Sequence, residues 1–302
     1  MSERPKSTPA NESSVWHPLI RLVVVGTVLF TIYVGAQLGK GVLGKRVSTP
    51  MRADLFVVLD LVAVALLLAC YHLAVRVSER RRADEAGRRG LTGLPIGLAV
   101  GMSLFCCVEL LSLWAGISRP LGYQGLAHVI PQFSGAMLAA VGEEIVFRGV
   151  IFRLLGEVFG TVAALIASAA IFGLIHALNS GATVAGVVGV ALEAGVLLGL
   201  AYVLARSLWL PIGIHLGWNF TEGSIFGSAV SGGVSRGVFP MTLQGPILLT
   251  GGAFGLEASV LSVLVCLMTS GIVGWLAYRR GLFKRFPGRQ FAIDRVHPTQ
   301  RH

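Results

Sequence analysis

Long runs of apolar residues, separated by short polar or basic segments, dominate the 302-residue chain. A run of about 18 or more nearly uncharged residues is typical of a transmembrane helix, which satisfies its own backbone within a bilayer. The pattern predicts eight such helices, and therefore an all-α fold that forms a polytopic helical bundle in a membrane. The expected bounds are roughly 19–38, 55–75, 95–115, 131–159, 162–178, 184–204, from 208 onwards, and 259–278.

The polar segments between these runs divide the chain into regions. The first run follows an 18-residue polar start that lacks a small-residue cleavage site, which indicates a retained anchor rather than a removed signal peptide. The expected regions are a polar tail (1–18), N-terminal transmembrane helices (19–126) with a basic loop at 76–89, a central core (127–226), a loop with the last transmembrane helix (227–278), and a basic C-terminal tail (279–302).

Composition and charge agree with a membrane protein. Hydrophobic residues make up 54% of the chain and charged residues only 13%, which excludes an ordinary soluble domain. The net charge of +10 would suggest nucleic-acid binding in a soluble protein, but here the cations gather in loops and tails. The positive-inside rule explains that distribution without a nucleic-acid partner. It predicts a multi-pass membrane protein with both termini in the cytoplasm. The expected location is a bacterial cytoplasmic membrane.

Charged residues interrupt the fourth apolar run in the segment Gly-Glu-Glu-Ile-Val-Phe-Arg-Gly, residues 142–149. A charge at the bilayer centre costs roughly 2.5–3.5 kcal/mol, so an ionisable residue there is a functional candidate. Glu144 and Arg148 are four residues apart and can pair within one helical turn. Glu143 is rotated by about 100° from Glu144, so the pattern leaves it without a partner on its own helix.

Two further apolar runs carry a histidine beside a second motif residue. His176 follows Phe172 by four residues, and Asn219 follows His215 by the same spacing. Residues four apart lie on the same helix face. Each pair is therefore presented to one side of its helix.

The spacing between the first two motifs predicts how they meet. If the helices around 131–159 and 162–178 form an antiparallel hairpin that turns near Gly160, Glu143 and His176 each lie about 24 Å from the turn at a rise of ~1.5 Å per residue. A carboxylate and an imidazole would then lie at the same depth on neighbouring helices.

A buried carboxylate beside imidazoles can carry out two kinds of chemistry. Burial raises the pKa of carboxylic acids in general, which suits such a group to general acid–base catalysis near neutral pH. Glu143 would then activate water for attack on a peptide carbonyl, with His176 and His215 orienting the water and Asn219 donating to the oxyanion. Alternatively, Glu143, His176 and His215 could hold Zn²⁺ with a bound water. The sequence has no His-Glu-x-x-His motif, so a metal site would have to be assembled from three helices.

Taken in order, these motifs resemble those of the CPBP family, which comprises the type II CAAX prenyl endopeptidases and related bacterial bacteriocin-immunity membrane proteins. The resemblance covers about residues 127–226, which it marks as a CAAX-protease-like catalytic core, whereas the first three runs carry no matching motif. The matching motifs are Glu-Glu-x-x-x-Arg (Glu143, Glu144, Arg148), Phe-x-x-x-His (Phe172, His176) and His-x-x-x-Asn (His215, Asn219).

The resemblance implies an eight-helix intramembrane endopeptidase that cleaves within or beside the bilayer. It implies that Glu143 activates water close to His176 and His215, with Asn219 as oxyanion donor. We expect Glu144, Arg148 and Phe172 to support the site structurally. The family has been described both as metalloproteases and as metal-independent glutamate proteases, so a zinc cofactor stays open.

The expected partners are the lipid bilayer and a membrane-associated protein or peptide substrate, which the resemblance suggests is of the CAAX prenylated type. Two other functions would also use buried glutamate and histidine. One is a proton-coupled membrane transporter, although the sequence lacks the inverted repeat and paired broken helices typical of that class. The other is a non-catalytic membrane immunity or scaffold protein. The sequence indicates no oligomeric state.

Overall fold

The computed structural model describes residues 17–285, apart from the side chains of Thr49 and Pro50. The predicted polar tail at 1–18 and the predicted basic tail at 279–302 therefore lie outside the described residues, except for their inner ends. The described part is almost entirely helical. Its α-helices are α1 (Pro18–Gly44), α2 (Thr49–Glu79), α3 (Gly93–Trp114), α4 (Val129–Glu144), α5 (Arg153–Phe159), α6 (Thr161–His176), α7 (Val184–Val190), α8 (Val196–Ala205), α9 (Trp209–Phe220), α10 (Ile247–Thr250) and α11 (Val260–Arg279).

Three π-helical segments interrupt or extend these helices. Ile145–Phe152 joins α4 to α5, Ala191–Gly195 joins α7 to α8, and Thr221–Ile225 continues α9. With these joins, the described chain forms eight long helical segments, in agreement with the predicted all-α membrane bundle. Short 3₁₀ turns lie in the loops at Asp84–Ala86, Arg88–Gly90, Gly252–Phe254 and Leu256–Ala258.

Five of the long segments are long and apolar enough to cross a membrane: α1, Met51–Glu79 of α2, α3, Val184–Ala205 and α11. The other three predicted spans are helical but depart from a simple apolar span. The segment 129–159 carries the charged motif, α6 has only 16 residues, and the segment 209–225 includes a π-helical turn. These three supply all seven motif residues, so the polar chemistry lies in the helices least typical of lipid.

A short antiparallel sheet, which the sequence pattern did not predict, joins two loops. β1 (Ser118–Pro120) pairs with β2 (Met241–Leu243), with Ser118 opposite Leu243. The pairing fixes the loop after α3 against the long loop that precedes α11. The hydroxyl of Ser118 also donates to the buried carboxylate of Glu109 near the end of α3.

Glycines allow α3 and α9 to cross in backbone contact. Gly97 and Gly101 on α3 face Gly213 and Gly217 on α9, and a Cβ added at Gly97 would lie 2.9 Å from the Cα of Gly213. Small residues four apart permit this close approach of helices in membranes. The crossing sets the position of α9, which carries His215 between its two glycines.

The hairpin predicted between the first two motifs is present. α5 ends at Phe159 and α6 begins at Thr161, with Gly160 between them at φ 80°. Only glycine adopts this backbone conformation without strain. The turn returns α6 along the motif helix, so that Phe147 and Phe172 meet edge to face with ring centroids 4.9 Å apart.

Candidate active site

The two adjacent glutamates of the first motif have different surroundings. Glu144 is fully buried and accepts a hydrogen bond from Arg148 Nη1 at 2.7 Å, as the four-residue spacing predicted. The side chain of Glu143 is 16% exposed, and within the described chain it forms no ion pair with Arg148. A buried charge needs a close partner, and among the two glutamates it is Glu144 that meets this requirement.

Arg148 connects the first motif to a neighbouring helix. Its Nη2 donates to the carbonyl oxygens of Ala194 at 2.9 Å and Gly195 at 3.3 Å, at the end of the π-helical segment between α7 and α8. Its guanidinium lies 4.6 Å from the ring centroid of Phe172, a cation–π contact. Arg148 thus neutralises Glu144 and also anchors the motif helix to two neighbours.

His215 lies between the two glutamates. Its Nδ1 is 3.0 Å from Glu144 Oε1, and its Nε2 is 3.9 Å from Glu143 Oε2. An ionised carboxylate can only accept, so we assign the Nδ1 proton as the donor to Glu144. The first separation is a hydrogen bond, whereas the second is too long for one. The imidazole is therefore oriented by Glu144 and presents its other nitrogen towards Glu143.

His176 is fixed from its own helix. Its Nδ1 lies 2.7 Å from the backbone oxygen of Phe172, and because a carbonyl only accepts, Nδ1 carries the proton. The neutral ring then has Nε2 as its acceptor. The ring centroid of Phe172 lies 4.7 Å from that of His176 and 6.3 Å from that of His215. Phe172 therefore packs against both imidazoles and against Arg148.

Tyr33 on α1 contacts Glu143, and sequence reasoning missed it. Its hydroxyl donates to Glu143 Oε1 at 2.8 Å, whereas Glu143 Oε2 has no hydrogen-bond partner in the described part of the chain. The ring packs directly on Gly142, where an added Cβ would come within 2.9 Å of Tyr33 Cε2. Because Gly142 has no side chain, the Tyr33 ring can pack against it and the Tyr33 hydroxyl can reach Glu143.

A small cavity of ≈ 40 Å³ lies among α6, α9 and the π-helical segment at 191–195. His176, His215 and Asn219 line it, so residues of the second and third motifs meet there. Glu143 is not among its lining residues, although it is the neighbour of His215. A cavity of this size accommodates water rather than a peptide.

Acidic side chains in and beside the cavity were not predicted as part of the site. Glu193 and Glu257 line the cavity, and Glu257 accepts from Ser231 at 2.8 Å. Glu222 accepts from Trp218 Nε1 at 3.2 Å and from the backbone N–H of Glu257 at 3.3 Å. Glu257 and Ser231 lie in the loop before α11, whose Gly- and Ser-rich sequence carried no motif.

The predicted zinc ligands do not form a metal site in this arrangement. Zinc holds its nitrogen and oxygen ligands at about 2.0–2.2 Å. Within residues 17–285, no three His, Cys, Asp or Glu side chains are grouped so that they could hold a metal ion. His215 uses Nδ1 to bind Glu144, and its Nε2 stands 3.9 Å from Glu143. Glu143, His176 and His215 therefore do not fit a zinc ion here.

The middle of the chain is similar to a known protein family. Residues 125–221 match the family model Rce1-like, described as type II CAAX prenyl endopeptidase Rce1-like. The predicted family resemblance is confirmed. No curated protein and no solved structure matches the chain.

All the motif residues discussed above lie inside the Rce1-like segment, from Glu143 to Asn219, whereas Tyr33, Ser231 and Glu257 lie outside it. At the level of the family, the match supports a CAAX-type intramembrane protease. Together with the apolar helices it supports an integral membrane protein that acts on a membrane-associated substrate in a lipid environment.

Proposed function

We propose that the protein is an intramembrane endopeptidase of the glutamate type, in which Glu143 activates the attacking water. The observation that carries this proposal is the position of His215 between two glutamates with different environments. Glu144 is held through Oε1 by Arg148 Nη1 at 2.7 Å and by the Nδ1 side of the ring at 3.0 Å, and only its Oε2 lacks a partner within the described chain. Glu143 has no arginine partner within residues 17–285, and its Oε2 stands 3.9 Å from Nε2 without a hydrogen-bond partner there. A carboxylate oxygen with free lone pairs is what a general base requires.

In the proposed reaction, a water molecule donates a hydrogen bond to Glu143 Oε2 and a second one to a neighbouring imidazole nitrogen. Glu143 removes one proton from this water as the water oxygen attacks the scissile peptide carbonyl. His176 has its Nδ1 proton committed to Phe172, so its Nε2 can accept and help to orient the water. Glu143 then returns the proton to the leaving amine, which completes the hydrolysis.

Asn219 is the proposed oxyanion donor. It lies one turn beyond His215 on α9 and lines the same cavity as both histidines. Its amide N–H₂ can donate to the oxygen of a tetrahedral intermediate, an interaction that typically accounts for about 10²–10³ in kcat. By analogy with the family, the proposed substrate is a CAAX-type prenylated peptide.

The test is cleavage of a fluorogenic prenylated CAAX peptide by the full chain reconstituted in liposomes. We expect Glu143→Gln and His176→Ala to lower the rate by about 10²–10⁴-fold while the protein stays folded, because each removes a group that handles the proton or the water. Glu157→Gln, the same change at a glutamate farther along the same helix, is the matched control and should keep near-normal activity.

Each alternative function predicts a different outcome. Full proteolysis by both variants would refute the proposed mechanism, and loss of cleavage on addition of a chelator would favour a metalloprotease. Proton-dependent flux in sealed liposomes, lost in Glu143→Gln, would favour a transporter. A biological phenotype that survives Glu143→Gln would favour a non-catalytic scaffold.

A further inference from the structure

A second concave site lies at the end of α2, away from the motif residues. It is a cavity of ≈ 980 Å³ formed by the last turns of α2 and the loop that follows. Its lining is strongly basic and consists mainly of arginines, a set called here the arginine pocket: Arg76, Arg80, Arg81, Arg82, Arg88 and Arg89.

Most of the positive charge in the arginine pocket is uncompensated. Arg81 is paired, since it donates to Glu79 at 2.7 Å and to both oxygens of Glu85 at 2.9 Å. The five other arginines are exposed and form no ion pair or side-chain hydrogen bond within residues 17–285. Asp84 is the acidic residue among the lining residues. Five guanidinium groups around one concavity therefore favour a multiply charged anion.

The loop that carries these arginines is held in place from beneath. Its Glu85 is buried and accepts from Tyr71 at 2.5 Å, and its backbone oxygen accepts from the N–H of Leu208 at 2.7 Å. Trp209 Nε1 donates to the carbonyl of Gly87 at 3.0 Å. Burial would raise the pKa of Glu85, but the hydrogen bonds from Arg81 and Tyr71 outweigh it and lower the pKa. The pocket is thus preformed, which reduces the entropy cost of binding.

The pocket lies beside the surface of α2 that faces lipid. His72 and Arg76 lie four residues apart on one stripe of α2, and Arg80 follows as the residue that ends the helix, at φ 52°. Leu73 and Val77 form the adjacent stripe and are 61% and 65% exposed. Because large apolar side chains this exposed on a membrane helix contact acyl chains, the pocket borders on lipid rather than only on water.

We propose that the arginine pocket binds the phosphate headgroup of an anionic phospholipid whose acyl chains lie along α2. Guanidinium groups bind phosphate oxygens bidentately, and basic pockets at helix ends hold anionic lipid headgroups. The site is separate from the proposed catalytic residues, and the binding does not depend on proteolytic activity. A free phosphate anion shares the same chemistry, so the experiment has to separate the two ligands.

The test is native mass spectrometry of the full chain in detergent, titrated with phosphatidylglycerol or with phosphatidylcholine. We expect phosphatidylglycerol to bind and the double variant Arg76→Gln/Arg88→Gln to weaken its Kd by about 30-fold, since each arginine near an anionic headgroup contributes roughly fivefold. A second pair, Arg82→Gln/Arg89→Gln, should have the same effect. The four side chains are exposed, so both variants should keep the thermal stability of the parent.

The matched control is Arg279→Gln/Arg280→Gln, which removes two exposed arginines from the end of α11. The ends of α2 and α11 both lie near the turn at Gly160, because Arg153 on α5 binds Glu79 and Thr161 N–H donates to the carbonyl of Lys284. The control therefore removes the same number of positive charges, two, from the same side of the bundle but outside the arginine pocket. We expect its Kd for phosphatidylglycerol to stay close to that of the parent.

Three results would overturn the proposal. The first is a control variant that binds phosphatidylglycerol as weakly as the pocket variants, which would indicate general attraction to the basic face. The second is equal binding of phosphatidylcholine. The third is complete displacement of the lipid by inorganic phosphate, but not by chloride at the same ionic strength, which would make the pocket a site for a free anion.

Discussion

Replacement of Arg148 by methionine tests whether the first motif is held together by its ion pair. Arg148 and Glu144 are both fully buried, with Nη1 and Oε1 2.7 Å apart. The arginine also donates to the carbonyls of Ala194 and Gly195. Methionine keeps much of the apolar volume of the side chain but removes every donor. Glu144 would then be a buried charge whose remaining described donor is the imidazole of His215.

The expected cost follows from this burial. Breaking a buried pair by removing one partner typically costs about 3–5 kcal/mol, because it leaves the other charge uncompensated. Replacing both partners costs much less than the sum, so Glu144→Gln/Arg148→Met should be more stable than Arg148→Met, with a coupling of roughly 2 kcal/mol. Arg153 and Glu157 form an ion pair with the same spacing nine residues farther on, at 3.0 Å, but Glu157 is 32% exposed. Glu157→Gln should cost about 1 kcal/mol or less.

The assay is reversible unfolding in detergent of Arg148→Met, Glu144→Gln, their double variant and Glu157→Gln, compared at the same protein and lipid concentration. A ranking in which Arg148→Met is far less stable than both Glu157→Gln and the double variant would support the reasoning. The opposite result, an Arg148→Met variant as stable as Glu157→Gln, would mean that the pair is dispensable. A double variant as unstable as the sum of its singles would show that the two residues act independently.

Three further predictions concern groups around this pair. Tyr33→Phe should lower kcat about 5- to 10-fold with KM nearly unchanged, because it removes one hydrogen bond to the carboxylate that is proposed to act in the chemical step. Steady-state kinetics on the prenylated peptide measures both constants. Glu85→Gln should lower the melting temperature above pH 4.5, and its difference from the parent should shrink as the pH falls through the lowered pKa of Glu85. The reason is that a carboxylate with a depressed pKa stabilises the fold only while it is ionised. Thermal unfolding scans at several pH values test this. Gly217→Val should lower the free energy of unfolding by at least ~2 kcal/mol, because its Cβ would lie 2.9 Å from the backbone nitrogen of Met102. Gly271→Val is the control: no atom of another element in the described chain lies within 4 Å of its Cβ, so its free energy of unfolding should be nearly unchanged.

The features that the sequence predicted correctly are those that depend on local periodicity. Apolar runs predict helices in lipid because the backbone has no other way to be satisfied there. The Glu144–Arg148 pair follows from a four-residue spacing on one helix, and the turn at Gly160 follows from a break between two runs. Each of these depends on neighbours along the chain, and each can be read from a short window.

Contacts between distant helices could not be predicted in this way. Tyr33 is 110 residues from Glu143, and a tyrosine in an apolar run carries no motif by itself. The glycines at 97, 101, 213 and 217 could have been noticed as two small-residue pairs, but which pairs face each other depends on the packing of the whole bundle. Glu257 reaches the cavity from an irregular loop, where sequence patterns predict little.

The π-helical segments explain why the site cannot be derived from ideal helices. A π turn widens the helix and disturbs the regular series of backbone hydrogen bonds, and such turns are frequent at functional sites. One contains Arg148, a second supplies the carbonyls of Ala194 and Gly195 that accept from it, and the third begins two residues after Asn219. In a bilayer a displaced carbonyl needs a donor within the protein. Arg148 supplies that donor while it binds Glu144 Oε1, so one guanidinium serves both the irregular backbone and the buried carboxylate, and Glu143, which Tyr33 binds through Oε1, takes no part in that pairing.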